Sequence, residues 1–103
     1  MREMSQTTRP YTIVILLKTP KINETGSDKI IWEHARRNYE LRREDKLCIV
    51  CPIRDDTKTA GLYIFSSNVE ETTRIMNGDP GVTAGIFAYE IHPGRSFPGD
   101  TLH

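Results

Sequence analysis

Two polar side chains that could take part in chemistry, His34 and Asn38, fall inside an otherwise apolar helical stripe. At about 100° per residue, a helix here places six residues within one arc of roughly 140°: Ile30, Ile31, His34, Ala35, Asn38 and Leu41. Such a stripe faces the interior, where polar groups cost free energy unless they form hydrogen bonds. A histidine titrates near neutral pH, so His34 is a candidate proton-transfer residue. The alternative is a structural histidine satisfied by backbone groups or water at the edge of the core.

A second candidate, Asp79, lies far along the chain at the start of the segment 79–85. Asp followed by Pro is typical of a helix start, with Asp79 as the N-cap and Pro80 at the first helical position. Taken alone, this pattern predicts a capping residue in a turn that leads into a strand.

The two cysteines, Cys48 and Cys51, have a C-x-x-C spacing that occurs in redox motifs and in half of a zinc site. A redox motif needs a helix N-terminus and zinc needs further ligands nearby, whereas these cysteines fall in a predicted strand. Side chains three apart in a strand point to opposite faces of the sheet. We therefore expect reduced, structural thiols and no metal site, with a redox role as the alternative. Neither His92 nor His103 adds a metal-ligand spacing.

The elements that would position these residues can be read from periodicity and capping patterns. Four dense apolar runs predict strands at 11–17, 47–53, 60–65 and 86–92. A long helix with Ser27 or Asp28 as its N-cap continues to about Glu44, and a shorter helix covers 69–77. Pro52 is expected to mark the end of the second strand or an edge of the sheet.

The order strand, helix, strand, strand, helix, strand predicts an α+β fold. It is the βαββαβ arrangement of a ferredoxin-like sandwich, a four-stranded antiparallel sheet with two helices on one face. Three strands look apolar on both faces, and a bare apolar sheet of this area would not stay soluble. We therefore expect a homodimer, or a higher assembly of dimers, whose sheets pack face to face into an α/β barrel. The domain is expected to cover 10–94, between a flexible N-terminal segment 1–9 and an irregular C-terminal tail 95–103.

Length and charge narrow the class of function. A chain of 103 residues allows one folded domain. Its 14 basic and 14 acidic residues create no net field that would favour nucleic acid or a membrane surface. No run reaches the roughly 18 apolar residues that span a membrane, and the N-terminal residues lack the apolar centre of a signal peptide. We expect a cytoplasmic protein with no nucleic-acid or membrane partner.

In its order of elements, nearly the whole chain resembles the YCII-related (YciI-like) family, small dimeric α/β-barrel proteins similar in fold to muconolactone isomerase. The specific residues that carry the resemblance are few: His34 on the first helix, Pro52, Asp79-Pro80 followed by Ala84-Gly85, and Pro93 after the last strand. Cys51 and Lys46 stand where the family often has glycine. We expect Cys51 to narrow the cavity that a glycine would leave open.

The resemblance implies an acid/base site. In the family, the helix histidine and the aspartate of the Asp-Pro step are the proposed active-site pair, which corresponds to His34 and Asp79 here. A carboxylate beside a histidine fixes the ring tautomer and favours the protonated ring, so the pair can move a proton without a cofactor. The implied activity is that of a lyase, isomerase or dehydrochlorinase acting on a small organic acid or phenol. Asn38 is expected to orient this small ligand, with Tyr11 and Tyr63 lining the pocket.

A non-catalytic small-ligand-binding or accessory module is the alternative, because a fold does not fix a function. In that case His34 and Asp79 would lie beyond hydrogen-bond reach, more than roughly 3.5 Å apart. The sequence contains no nucleophile elbow, P-loop, H-E-x-x-H or dinucleotide fingerprint that would indicate another reaction class.

Overall fold

The structure, a computed structural model, describes residues 9–97. Its elements in chain order are β1 (Pro10–Lys18), α1 (Ser27–Arg43), β2 (Leu47–Pro52), β3 (Thr59–Phe65), α2 (Val69–Asn77), α3 (Pro80–Thr83) and β4 (Phe87–Arg95). A 3₁₀ helix, Pro20–Asn23, lies in the connection between β1 and α1. The predictions made for residues 1–8 and 98–103 fall outside the described part of the chain. None of the helices within residues 9–97 is both long and apolar enough to cross a membrane.

The four strands form one antiparallel sheet in the order β2-β3-β1-β4. Along β1 and β3 alternate residues are buried, which places one face of the sheet under the helices. The core contains Val14 and Leu16 of β1, Phe65 of β3, Leu41 of α1 and Met76 of α2. This arrangement confirms the predicted ferredoxin-like α+β fold.

The other face of the sheet is apolar and is only partly buried in the single chain. We call it the open sheet face, and it consists of Ile13, Ile15, Leu17, Ile49, Leu62 and Ile64. The strand register brings these side chains together, since Ile13 pairs with Ile64 and Ile15 pairs with Leu62. The prediction that the central strands are apolar on both sides is therefore confirmed.

The start of α1 differs from its prediction. Gly26, with φ of 91°, occupies the N-cap position, and no side chain caps this helix end. The hydroxyl of Ser27 instead donates to the carbonyl of Lys21 in the preceding 3₁₀ helix, at 2.9 Å. The prediction that Ser27 or Asp28 is the N-cap was therefore wrong. After the 3₁₀ helix the chain enters α1 through a left-handed residue, a conformation that glycine adopts readily.

The end of α1 is closed by Asp45, whose φ of 60° is left-handed. The amide of Lys46 donates to the carbonyl of Leu41 at 3.1 Å, and the amide of Asp45 donates to the carbonyl of Arg42 at 3.0 Å. These two bonds form a Schellman motif, which usually has glycine at the left-handed position. Aspartate is one of the few other residues that tolerate this conformation.

The last strand extends beyond its predicted end. β4 continues through Pro93 and Gly94 to Arg95. Beyond the strand, the Ser96 amide donates to the Arg9 carbonyl at 2.9 Å. The strand therefore ends three residues later than its predicted end at residue 92. β4 is an edge strand, where a proline can sit with its missing N–H on the outer side. Pro52 ends β2, the other edge strand, as predicted.

Candidate active site

The His34 imidazole of α1 and the Asp79 carboxylate at the start of α3 are in direct contact. Nδ1 of His34 lies 2.7 Å from Oδ1 and 2.8 Å from Oδ2 of Asp79, although 45 residues separate them in the sequence. Both are buried, with only 6% of His34 and 2% of Asp79 exposed. Because an ionised carboxylate only accepts hydrogen bonds, Nδ1 carries a proton, and in the neutral form of the ring Nε2 keeps its lone pair.

Asp79 is at the same time the N-cap of α3. Its Oδ2 accepts the amides of Gly81 at 2.9 Å and Val82 at 3.2 Å, as the Asp-Pro pattern predicts. The Arg37 guanidinium lies 3.8 Å from Oδ1 and also donates to the Ile75 carbonyl at 2.8 Å. The buried carboxylate is thus satisfied by two backbone amides, an imidazole and a nearby cation, which is what a buried charge requires.

The other ring nitrogen of His34 contacts Tyr63 of β3. Nε2 lies 2.9 Å from the Tyr63 hydroxyl, and Asn38 Nδ2 donates to that hydroxyl at 3.2 Å. Asn38 Nδ2 is also 3.4 Å from Nε2. Since Nε2 can only accept in this tautomer, the Tyr63 O–H donates to it and the phenolic oxygen accepts from Asn38. The result is a single directed chain of hydrogen bonds from Asn38 through Tyr63 and His34 to Asp79.

Burial raises the pKa of the Tyr63 phenol to about 12, against an ordinary value of 10.0. The hydrogen bond from Asn38 acts in the opposite direction, and the charge on Asp79 adds a smaller increase to the pKa. The Tyr63 hydroxyl therefore remains protonated at neutral pH and is a hydrogen-bond donor in the site.

This pKa shift predicts a loss of stability in alkali. Above pH 10 the unfolded chain ionises Tyr63 while the folded protein keeps it protonated up to about pH 12, so the free energy of unfolding falls across that range. Between pH 9 and pH 11 the wild type should lose about 1 kcal/mol more free energy of unfolding than Tyr63→Phe in urea unfolding experiments. Tyr39→Phe, which changes an exposed tyrosine, should behave like the wild type. Equal losses in the wild type and Tyr63→Phe would contradict the shift.

His34, Asn38 and Tyr63 line a pocket of about 410 Å³ between α1 and the sheet. The remaining lining residues are mostly apolar: Leu16, Ile31, Ala35, Tyr39, Arg42, Val50, Pro52, Ala60 and Phe87. Asp79 does not line the pocket and lies behind the imidazole. The pocket thus combines apolar walls with a small group of polar atoms, the usual composition of a small-molecule site.

Phe87, the first residue of β4, fixes the imidazole from one side. Its ring centroid is 4.9 Å from that of His34, with the planes tilted by 46°. Gly81 leaves room for this ring, since a Cβ at Gly81 would lie 2.9 Å from Phe87 Cε2 and 3.1 Å from Asp79 Oδ2. A glycine in α3 is therefore required by the packing of the site.

Gly81→Ala is expected to destabilise the protein by about 1–3 kcal/mol, because the added methyl group must displace the Phe87 ring within a packed region. Urea unfolding measures this loss, and the ring-current shift of the His34 protons in an NMR spectrum reports the displacement. Gly78→Ala is the matched control, because the atom nearest its Cβ would be the terminal Nη2 of the Arg37 side chain, at 3.1 Å, and the next two atoms lie at ordinary contact distances of 3.6 and 3.7 Å. Similar stability losses in the two variants would contradict the packing role of Gly81.

Four of the five residues singled out from the sequence lie together here: His34, Asn38, Tyr63 and Asp79. Tyr11 does not lie with them and is absent from the pocket lining. Its neighbour Thr12 is buried on the helix side, where its hydroxyl donates to the Ser67 carbonyl at 2.7 Å, so Tyr11 points to the opposite face. The expectation that Tyr11 lines the pocket is corrected by this alternation.

Cys51 does not narrow the pocket, contrary to expectation. It is exposed and pairs with Leu62 of the open sheet face, whereas the adjacent Pro52 lines the pocket. Cys48 lies at a register shift between β2 and β3, and both thiols are free. Among residues 9–97, no group of three or more His, Cys, Asp or Glu side chains is placed to hold a metal ion.

Three residues around the site were not identified from the sequence: Arg37, Arg42 and Phe87. Arg42 could have been found, since it follows His34 and Asn38 at intervals of four residues and so shares their helix face. Arg37 and Phe87 reach the site only through packing of α1 against α3 and β4, and no local pattern signals this.

No protein-family model matches the chain, and no curated protein sequence matches it significantly. A solved structure with a similar fold is that of 5-chloro-2-hydroxyhydroquinone dehydrochlorinase from Burkholderia phenoliruptrix AC1100, in complex with 2,5-dihydroxybenzoquinone. The two chains are 20% identical with a TM-score of 0.56, and the alignment covers 80% of this chain and 90% of that chain. At this identity the likeness shows a common fold.

Proposed function

We propose that this protein is a YCII-like, cofactor-free enzyme that transfers a proton of a small organic substrate, with His34 as the base and Asp79 as its partner. The observation that supports this proposal most directly is the 2.7 Å contact between Nδ1 of His34 and Asp79, beside a pocket of about 410 Å³. This contact is the feature that a non-catalytic module would not need. Lyase, isomerase and dehydrochlorinase reactions that proceed by general acid/base catalysis share such a proton transfer.

In the proposed step, Nε2 of His34 takes a proton from an acidic O–H or C–H bond of the substrate. When the proton comes from a C–H bond, the electron pair forms a C=C bond to the neighbouring carbon, and in a dehydrochlorination the C–Cl bond of that carbon breaks and chloride leaves. When the proton comes from an O–H bond, the electron pair forms a C=O bond, the adjacent C=C bond shifts by one position, and chloride leaves from the saturated carbon at its far end. In an isomerisation the imidazolium returns the same proton to a different atom. Asp79 stabilises the imidazolium, since its carboxylate is already held 2.7–2.8 Å from Nδ1.

Substrate binding must release the Tyr63 hydroxyl from Nε2, because that lone pair is occupied in the free protein. The released O–H remains protonated, with a pKa of about 12, and can donate to an oxygen on which negative charge develops. Asn38 then supports Tyr63 through the hydrogen bond that it already donates to the phenolic oxygen. Tyr63 and Asn38 are thereby assigned to substrate binding.

A planar hydroxylated ring is the substrate class that the pocket walls favour. Phe87, Ile31 and Leu16 supply apolar contact for the ring, and His34, Tyr63 and Asn38 form one hydrogen-bonded group in the wall. The dehydrochlorinase of similar fold acts on a chlorinated hydroxyhydroquinone. We extend that type of substrate, a phenol with an acidic proton, to this protein as part of the proposal.

The test uses the wild-type protein with 5-chloro-2-hydroxyhydroquinone and a panel of non-chlorinated phenols and enolisable ketones in D₂O. We expect chloride release or deuterium incorporation above the buffer rate for at least one compound, followed by a chloride electrode and by mass spectrometry. Compounds that bind in the pocket by NMR but exchange no faster than in buffer would contradict the enzymatic proposal.

The second candidate is a non-catalytic small-ligand-binding or accessory module. The observation that favours it is the complete satisfaction of the site: within residues 9–97 no buried side-chain nitrogen or oxygen lacks a hydrogen-bond partner. His34 would then only shape the pocket. Saturable ligand binding without proton exchange, retained in His34→Gln, would support this candidate over the enzyme.

We also propose that the protein is a homodimer in which the open sheet faces of two copies pack together. The face presents aliphatic side chains on three adjacent strands, and leaving a contiguous apolar patch of this kind in water is unfavourable. A cytoplasmic location is part of the same proposal, because the free thiols of Cys48 and Cys51 suit a reducing compartment.

Ile15→Lys should convert the proposed dimer to a monomer, since it places a charge in the centre of the open sheet face. Molar mass from light scattering coupled to size exclusion measures the change. Trp32→Lys is the control, because it removes an apolar side chain of α1 that is 63% exposed and should leave the mass unaltered. A wild-type protein that is monomeric at micromolar concentration would contradict the interface.

A further inference from the structure

Among the residues that line the pocket, Arg42 of α1 is the one that is permanently charged, and the proposed proton-transfer step does not use it. Arg42 is four residues beyond Asn38 and eight beyond His34, so all three project from one face of the helix. Among the lining residues there is no Asp or Glu, and Asp79 lies outside the lining. The mouth of the pocket therefore has a positive charge without a compensating carboxylate in its wall.

The other arginines of α1 do not line the pocket. Arg36 lies over the Trp32 ring and 3.8 Å from Glu40, and Arg37 is held by the Ile75 carbonyl and Asp79. Arg43 lies beside Glu40 and Glu44 in a separate surface depression. Within residues 9–97, no carboxylate is within 4.0 Å of the Arg42 guanidinium. The Arg42 guanidinium is thus available to bind a ligand at the mouth of the pocket.

We infer that the ligand of this pocket is a carboxylate-bearing aromatic compound, whose carboxylate binds Arg42 while its hydroxyl reaches His34 and Tyr63. This inference rests on the proposed function for the role of the hydroxyl end. Arginine is suited to the other end because its planar fork binds a carboxylate through two parallel hydrogen bonds. Arg42 is exposed, so a carboxylate can reach its guanidinium from the solvent side.

The spacing along the helix selects the position of the carboxylate on the ring. Eight residues separate the two Cα atoms by about 12 Å along the axis, at 1.5 Å per residue. Helical side chains lean toward the N-terminus, and because the Arg42 side chain is longer than that of His34, it reaches further back along the helix and shortens this gap. A single ring with hydroxyl and carboxylate at opposite positions spans the gap better than a ring with the two groups adjacent. The geometry therefore favours para over ortho substitution.

The test measures the affinity of two matched probes by NMR titration. The probes are 4-hydroxybenzoate, which carries the carboxylate, and 4-hydroxybenzamide, which has nearly the same shape and no charge. The wild type is expected to bind the carboxylate at least about tenfold more tightly, the size of one charge-assisted hydrogen bond. Arg42→Gln should bring the ratio of the two dissociation constants close to one. Arg43→Gln removes an equal charge from the next residue and should keep the wild-type ratio.

Two further measurements support or overturn the inference. Added salt should weaken 4-hydroxybenzoate binding to the wild type and Arg43→Gln but not to Arg42→Gln. 2-Hydroxybenzoate should bind more weakly than 4-hydroxybenzoate. An unchanged ratio in Arg42→Gln, no preference in the wild type, or no binding of either probe at millimolar concentration would overturn the assignment of Arg42.

This outcome can be separated from that of the proposed enzyme activity, because the affinities are measured without turnover. If the protein prefers the charged probe through Arg42 but catalyses no proton exchange, the anion-binding pocket is supported and the proposed enzyme activity is contradicted. If the protein catalyses proton exchange of neutral phenols but shows no preference for the charged probe, the enzyme activity is supported and the role of Arg42 is contradicted.

Discussion

His34→Gln is expected to lower turnover by about 10²–10⁴-fold while the protein remains folded. Glutamine can retain hydrogen bonds to Asp79 and Tyr63, but its amide cannot accept and release a proton near neutral pH. The loss should therefore appear in kcat, with a smaller change in KM, because the pocket walls and Tyr63 are unchanged. Steady-state kinetics on a substrate found in the D₂O assay would measure it.

The control for this variant is His92→Gln. His92 of β4 also lies near a carboxylate, 3.5 Å from Glu90, but that pair is more than half exposed and is remote from the pocket. The same chemical change there should leave kcat unaltered. Full activity of His34→Gln, with circular dichroism and molar mass equal to those of the wild type, would remove His34 as the base.

The second large effect is expected at Asp79, where two substitutions separate two roles. Asp79→Ala leaves the amides of Gly81 and Val82 and Nδ1 of His34 without an acceptor in a buried position. Each unsatisfied donor is costly, so the free energy of unfolding should fall by about 3–5 kcal/mol. Urea unfolding measures this loss.

Asp79→Asn keeps a side-chain oxygen that can still cap α3, so its stability should stay within about 1–2 kcal/mol of the wild type. It removes the charge that holds the proton on Nδ1 and stabilises the imidazolium, and turnover should still fall by about 10²–10⁴-fold. A stable but inactive Asn variant beside an unstable Ala variant would show that capping and catalysis use the same carboxylate. Equal stability of the Ala variant and the wild type would contradict the structural role.

The order of elements and the ends of most helices could be predicted because they depend on neighbouring residues. The Asn68 side chain caps α2 by accepting the Glu71 amide at 2.8 Å, and Asp79 caps α3, each within four residues of sequence. The start of α1 could not be predicted in this way. Its path is set by the 3₁₀ helix and by the left-handed Gly26, which replace a side-chain cap.

Strand faces were harder to assign than helix faces. β1 and β3 carry apolar residues at both odd and even positions, so the sequence does not say which set faces the helices. Tyr63 and Tyr11 were therefore indistinguishable as pocket residues, although the structure places only Tyr63 in the lining. The same ambiguity explains why Cys51 was assigned to the cavity and Pro52 was not.

The sequence by itself determined the fold and one wall of the site. The 3.6-residue period of α1 puts His34, Asn38 and Arg42 on one face wherever that helix packs, since the spacing is a property of the helix alone. Only the tertiary structure decided that Asp79 meets Nδ1 and that Tyr63 meets Nε2. Both contacts depend on how α3 and β3 pack against α1, and packing between distant segments is fixed by the whole core.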